Sequence, residues 1–146
     1  GCPSCRAWHH SGIKEKLLNI YGDQISFTFR HFPVITYQSP RAAEASQCAA
    51  EQGQFWAYHD YIYEEAPFGA LSPSDLKAYA GAIGLEQERF DQCLDNGDYS
   101  GIVSRDRQAA LAAGARGTPS FFINDQAVGF SYESMATAIE QALNNQ

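Results

Sequence analysis

Cys2-Pro3-Ser4-Cys5 opens the chain, and far downstream stands Gly117-Thr118-Pro119-Ser120-Phe121-Phe122-Ile123-Asn124. A C-x-x-C pair is compatible with half of a zinc site or with a redox-active dithiol. No second C-x-x-C completes a four-cysteine metal site. Cys2, Cys5 and His9, spaced i, i+3, i+7 with His10 adjacent, offer one metal option, but a packed His9 and a solvent-facing His10 are the plainer reading. Pro3 takes the first position of a helix, where its missing N–H costs least. That places Cys2 at the helix N-terminus, where free N–H groups and the positive end of the dipole favour a thiolate. A thiolate is the species that attacks a disulfide. Cys2 therefore reads as the attacking thiol, and Cys5, expected to be the more enclosed, as the thiol that resolves the mixed disulfide. Pro3 and Ser4 are expected to tune the thiolate, Ser4 through a hydrogen bond to the Cys2 sulfur.

Thr118-Pro119 adds independent weight. A proline ahead of a strand is often only a breaker, yet this one follows Gly114 and Gly117 and precedes a Phe-Phe-Ile run. A cis bond there would turn the Thr118 backbone outward, offering N–H and C=O to an extended substrate strand.

The remaining cysteines, Cys48 and Cys93, stand alone inside helical patterns. Four cysteines allow three full pairings. One close pair and one distant pair favour Cys2–Cys5 and Cys48–Cys93, against two unrelated buried thiols. A second bridge would imply an oxidising compartment.

Composition sets the outer limits. With 146 residues, the chain is read as globular, and its net charge of −7 argues against a phosphate-binding surface. No apolar run approaches the ~18 residues that span a bilayer. Neither nucleic acid nor membrane embedding is expected, and neither is a cofactor.

Along the chain, His9, Ile13, Leu17 and Ile20 continue the first helical stripe until Gly22-Asp23. Ile25, Phe27 and Phe29 alternate with polar residues through Arg30, the pattern of a strand. From Ser39 to Gly114 the pattern is helical throughout. It includes an aromatic helix from Phe55 to Glu65, a cap at Ser72 with Asp75 three residues on, and a stripe of Leu76, Tyr79, Ala80 and Ile83 closed by Gly84. Trp56, Tyr58, His59 and Asp60 are expected to pack rather than react. Glu64-Glu65 and Arg105-Asp106-Arg107 are expected on solvated faces. Ser120–Ile123, a turn at Asn124-Asp125-Gln126 and Ala127–Phe130 read as a hairpin, followed by a helix capped by Ser131.

The C-x-x-C, the stretch Gln47-Cys48-Ala49, the stretch Gly53-Gln54-Phe55-Trp56-Ala57-Tyr58-His59-Asp60 and the Gly117–Asn124 segment together resemble the DsbA-like branch of the thioredoxin superfamily. The resemblance implies an α/β thioredoxin fold interrupted by an inserted helical domain, with residues 1–37 and 115–146 flanking an insertion at 38–114. It implies thiol–disulfide exchange on cysteines of exported polypeptides, with a membrane reoxidant or a reductant as redox partner, in an extracytoplasmic setting, the periplasm or cell envelope. Cys2 is then the nucleophile, Cys5 the resolving thiol, Thr118-Pro119 the substrate-binding loop, and Cys48 and Cys93 a pair that relatives often share. The family carries a central strand running into the C-x-x-C. Only Gly1 precedes Cys2 here, so the resemblance implies an upstream strand lying between residues 25–30 and 120–123. The alternative is a non-catalytic module that binds peptides or carries a metal.

Overall fold

The computed structural model describes residues 1–145. In chain order these form α1 (Pro3–His10), α2 (Ile13–Tyr21), a 3-10 turn (Gly22–Gln24), α3 (Ser39–Ala50), α4 (Phe55–Glu64), α5 (Pro73–Ala82), α6 (Gln87–Asn96), α7 (Ser100–Ala112), β1 (Phe121–Ile123), β2 (Gln126–Val128) and α8 (Tyr132–Asn144). Residue contacts divide the chain into two compact units. One comprises Gly1 and His31–Ala110; the other comprises Cys2–Arg30 and the residues from Leu111 onward.

The unit of residues 31–110 is helical. Its core gathers Ala45, Cys48 and Ala49 of α3, Tyr58 of α4, Leu76, Tyr79 and Ala80 of α5, and Phe90, Cys93 and Leu94 of α6. The periodicities that mark these helices are therefore the ones that face inward. Both ends of α5 follow from sequence. Ser72 accepts from the Asp75 N–H while the Asp75 carboxylate accepts from the Ser72 N–H, which satisfies donors that a helix start leaves open. Gly84 and Gly97 adopt φ values of +78° and +67° where α5 and α6 stop, a conformation that side chains disfavour. Cys48 and Cys93 are joined by a disulfide, with Cα atoms 5.9 Å apart, so α3 and α6 are covalently linked as well as packed. Tyr58 donates to the Leu76 carbonyl at 2.8 Å, and burial pushes its phenol up, keeping the donor proton in place.

The second unit holds α1, α2, the hairpin and α8. Its core is smaller: Leu17 and Tyr21 of α2 against Met135, Ala136 and Ile139 of α8. The first helical stripe does not run unbroken. Ser11 ends α1 and Gly12, at φ +69°, starts α2, so the phase resets. Leu17 and Tyr21 then turn inward while Ile20 stands 51% exposed.

Residues 25–30 join no sheet; the one sheet among the described residues contains β1 and β2 alone. The expected strand is thus not formed, although Ile25 and Phe27 are half-buried and the alternating Ser26 and Thr28 exposed. Alternation sorts faces, but a ladder also needs a neighbour of matching register. The hairpin forms with a tighter turn than expected. Asn124 and Asp125 take positive φ of 46° and 66°, as a two-residue loop of primed type requires. Gln126 therefore belongs to β2 and pairs with Ile123.

Candidate redox site

Cys2 is the N-cap of α1, extended at φ −93° and ψ 112°, with Pro3 following as the first helical residue. Its sulfur accepts the Cys5 N–H at 3.1 Å, the interaction a capping oxygen would ordinarily make. A second donor comes from 116 residues away: the Thr118 hydroxyl reaches the same sulfur at 3.1 Å. The Thr118 carbonyl oxygen lies 3.5 Å from it, near enough to accept a hydrogen bond from the S–H of the reduced thiol. Cys2 and Cys5 are bonded to each other, with Cα atoms 5.3 Å apart. No acidic residue occupies the first turn of α1, and His9 and His10 stand in its last. The N-terminal field is therefore not neutralised by a carboxylate on the helix.

These contacts place Cys2, Cys5 and Thr118 together, with Pro119 adjoining. The Thr118-Pro119 peptide is cis. Pro3 adjoins the sulfur by sequence, whereas Ser4 is exposed. The hydroxyl that donates to Cys2 is that of Thr118, not the expected Ser4. The expected order of enclosure is also reversed. Cys2 is buried at 8% exposure and Cys5 only partly, because the loop carrying Thr118 lies over the N-cap. Cys2, Cys5 and His9 do not converge as a metal-binding set among the described residues.

Two polar residues escaped sequence reading, both in the unit of residues 31–110. His31 is buried, and its N–H donates to the Asp106 carboxylate at 2.9 Å. Its ring Nε2 lies 2.7 Å from Gln47 Nε2 and meets Phe55 edge-on at 6.1 Å. Burial lowers the His31 pKa, opposed by Asp106 and reinforced by His59. Asp106, expected on a solvated face, is 8% exposed. The signal was present: Val103, Asp106 and Ala110 share one helical stripe, and α7 turns that stripe inward.

The Na(+)/H(+) antiporter NhaA of Herminiimonas arsenicoxydans is 35% identical over 142 residues, matching 97% of this chain and 22% of the antiporter. The Na(+)/H(+) antiporter NhaA 3 of Salinispora tropica is 32% identical over 145 residues, with the same two coverages of 97% and 22%. The chain thus spans about a fifth of the length of these curated relatives. No helix among the described residues is long and apolar enough to cross a membrane. A thioredoxin-like oxidoreductase structure from Silicibacter pomeroyi superposes with a TM-score of 0.81 at 24% identity, covering 98% of this chain and 81% of that one. That likeness fixes the fold: thioredoxin-like, α/β, with a helical insertion. A thioredoxin family model matches residues 1–141, and the chain belongs to that family.

Proposed function

We propose that this chain is a thiol–disulfide oxidoreductase acting on cysteines of exported, extended polypeptides. The observation that carries the reading is the Cys2 sulfur, held at a helix N-cap with two donors directed at it, Cys5 N–H and Thr118 Oγ1. Donors of this kind stabilise a thiolate over a thiol.

In the oxidising direction a substrate thiolate attacks Cys2 Sγ. The Cys2–Cys5 bond breaks, Cys5 leaves as a thiolate, and a mixed disulfide joins Cys2 to the substrate. A second substrate thiolate then attacks the substrate sulfur of that bond and expels Cys2. The substrate loses two electrons and two protons, and the chain holds a dithiol that a redox partner must reoxidise. In the reducing direction Cys2 attacks and Cys5 resolves. Stabilising the Cys2 thiolate eases its departure and makes the disulfide form more oxidising. Thr118-Pro119 offers backbone groups to an extended substrate beside the sulfur. The Cys48–Cys93 bridge supports an extracytoplasmic location, in the periplasm or cell envelope, since such bonds persist in oxidising compartments.

Cys2→Ser should abolish turnover, whereas Cys5→Ser should accumulate mixed disulfides through Cys2. Similar residual turnover in both variants contradicts the assignment. Full function without either cysteine would favour a non-catalytic binding module.

A second reading concerns the partner. Relatives at 35% and 32% identity are named as Na(+)/H(+) antiporters and match this chain over 22% of their length. This favours a redox module that works beside an ion transporter at a membrane. Antiport in vesicles carrying such a transporter and this chain should differ between the dithiol and disulfide states. Equal transport in both states removes this reading.

A further inference from the structure

Helix α1, capped by Cys2 and carrying Cys5, has no buried residue of its own between Pro3 and His10. The side chain through which it packs on the core of its unit is Trp8, one turn beyond Cys5. The Trp8 ring meets that of Phe121 at 4.5 Å between centroids and lies near-parallel to Phe27 at 6.4 Å. Its Nε1–H donates to the Phe130 carbonyl at 3.0 Å. Phe121 begins β1, three residues after Thr118, and Phe130 follows the end of β2. The two strands are already laddered to each other. Trp8 therefore holds both legs of one continuous piece whose leading end is Thr118-Pro119.

We infer that Trp8 is a positioning residue for Cys2, setting the spacing between α1 and the hairpin so that the Thr118 hydroxyl stays on the sulfur. The inference rests on the thiol–disulfide reading of the site. Cys2 and Thr118 are 116 residues apart in sequence, so chain connectivity does nothing to hold them together. Their contact depends on how α1 is fastened to the hairpin. A hydrogen bond of 3.1 Å leaves little slack, because such bonds weaken steeply with distance and angle. A loss of about 1 Å in that spacing would remove the donor while leaving the N-cap itself unchanged.

Trp8→Phe keeps a ring on Phe121 but loses the N–H, and Trp8→Leu loses both. The readouts are the titration of the Cys2 thiolate in the reduced protein and its alkylation rate at neutral pH, each beside a melting curve. Trp8→Phe should raise the titration midpoint and slow alkylation about threefold, and Trp8→Leu up to about fivefold, in line with the weakening and then the loss of the Thr118 hydrogen bond. Trp56→Phe, on the exposed side of α4, should change neither. Trp8 variants that melt earlier but keep the parent's midpoint and rate would make Trp8 mere packing and overturn the inference. Should Trp8→Leu fail to fold, Trp8→Phe alone decides. A parent chain that never cycles with glutathione overturns both this inference and the redox reading. A parent that cycles while the variants titrate unmoved overturns this one alone.

Discussion

The two units of the chain are held together by different means. In residues 31–110, four helices, α3 to α6, interlock through a core containing Tyr58, Leu76, Phe90 and Leu94, all essentially inaccessible, and a disulfide joins α3 to α6. In the other unit, α2 and α8 share a smaller core of Leu17, Tyr21, Met135, Ala136 and Ile139. The densely packed unit lacks the Cys2–Cys5 pair. The sparsely packed one holds the Cys2 sulfur, the proposed reactive atom, by single contacts from Cys5 and Thr118. Stability and reactivity are thus assigned to different parts of the sequence, and substitutions should separate them.

The largest expected effect is on stability alone. Phe90→Ala removes a fully buried ring that packs on Tyr58 at 5.4 Å and should cost about 3–5 kcal/mol in denaturant unfolding. Dithiol cycling of the folded fraction should be unchanged. A loss of cycling per folded molecule would show that the two roles are not separate.

Next is the covalent tie. Replacing Cys48 and Cys93 together by alanine opens a loop with a sequence separation of 45 and should cost about 3–4 kcal/mol on the chain-entropy account. Calorimetry of the variant checks this, and a change under about 1 kcal/mol would mean that helix packing alone holds α3 to α6.

Thr118→Val probes the opposite region. It preserves shape and removes one donor to the Cys2 sulfur, so thiol reactivity should fall about fivefold with little change in melting. Unchanged reactivity would mean that the N-cap alone sets the thiolate.

The smallest effect concerns His31. Burial holds its imidazole below the usual histidine range, so on acidification the unfolded chain binds a proton first. The stabilisation from the neutral ring is whole above about pH 6.5 and is lost as pH falls toward the folded-state value. His31→Gln should flatten the dependence of the urea midpoint on pH between about 7.5 and 5. An equally steep dependence would place the titrating group elsewhere.

Much of this division was legible in sequence because the helical unit is built from local rules. Ser72 with Asp75, Gly84 and Gly97 mark helix ends through their own backbone chemistry, and the stripe through Leu76, Tyr79 and Ala80 faces the core as its period requires. Cys2 at an N-cap was readable from Pro3 for the same reason. What escaped depended on partners far along the chain. Ile25–Arg30 alternates as a strand should, but alternation carries no information on whether a neighbour pairs with it. Ser4 lies two residues from Cys2 and Thr118 lies 116 away, yet Thr118 supplies the hydroxyl. Asp106 reads as solvated beside Arg105 and Arg107 until the inward stripe of α7 is recognised.

The central claim is that Cys2 and Cys5 interconvert between disulfide and dithiol. Equilibration with glutathione buffers, followed by quenching and mass determination of alkylated Cys2 and Cys5, tests it most directly. A two-electron transition is expected between about −230 and −120 mV, the range of oxidising and isomerising thiol pairs. A transition near −270 mV would make the chain a reductant and contradict the proposed stabilisation of the Cys2 thiolate as the dominant influence. No transition anywhere between about −300 and −120 mV would contradict the redox reading itself.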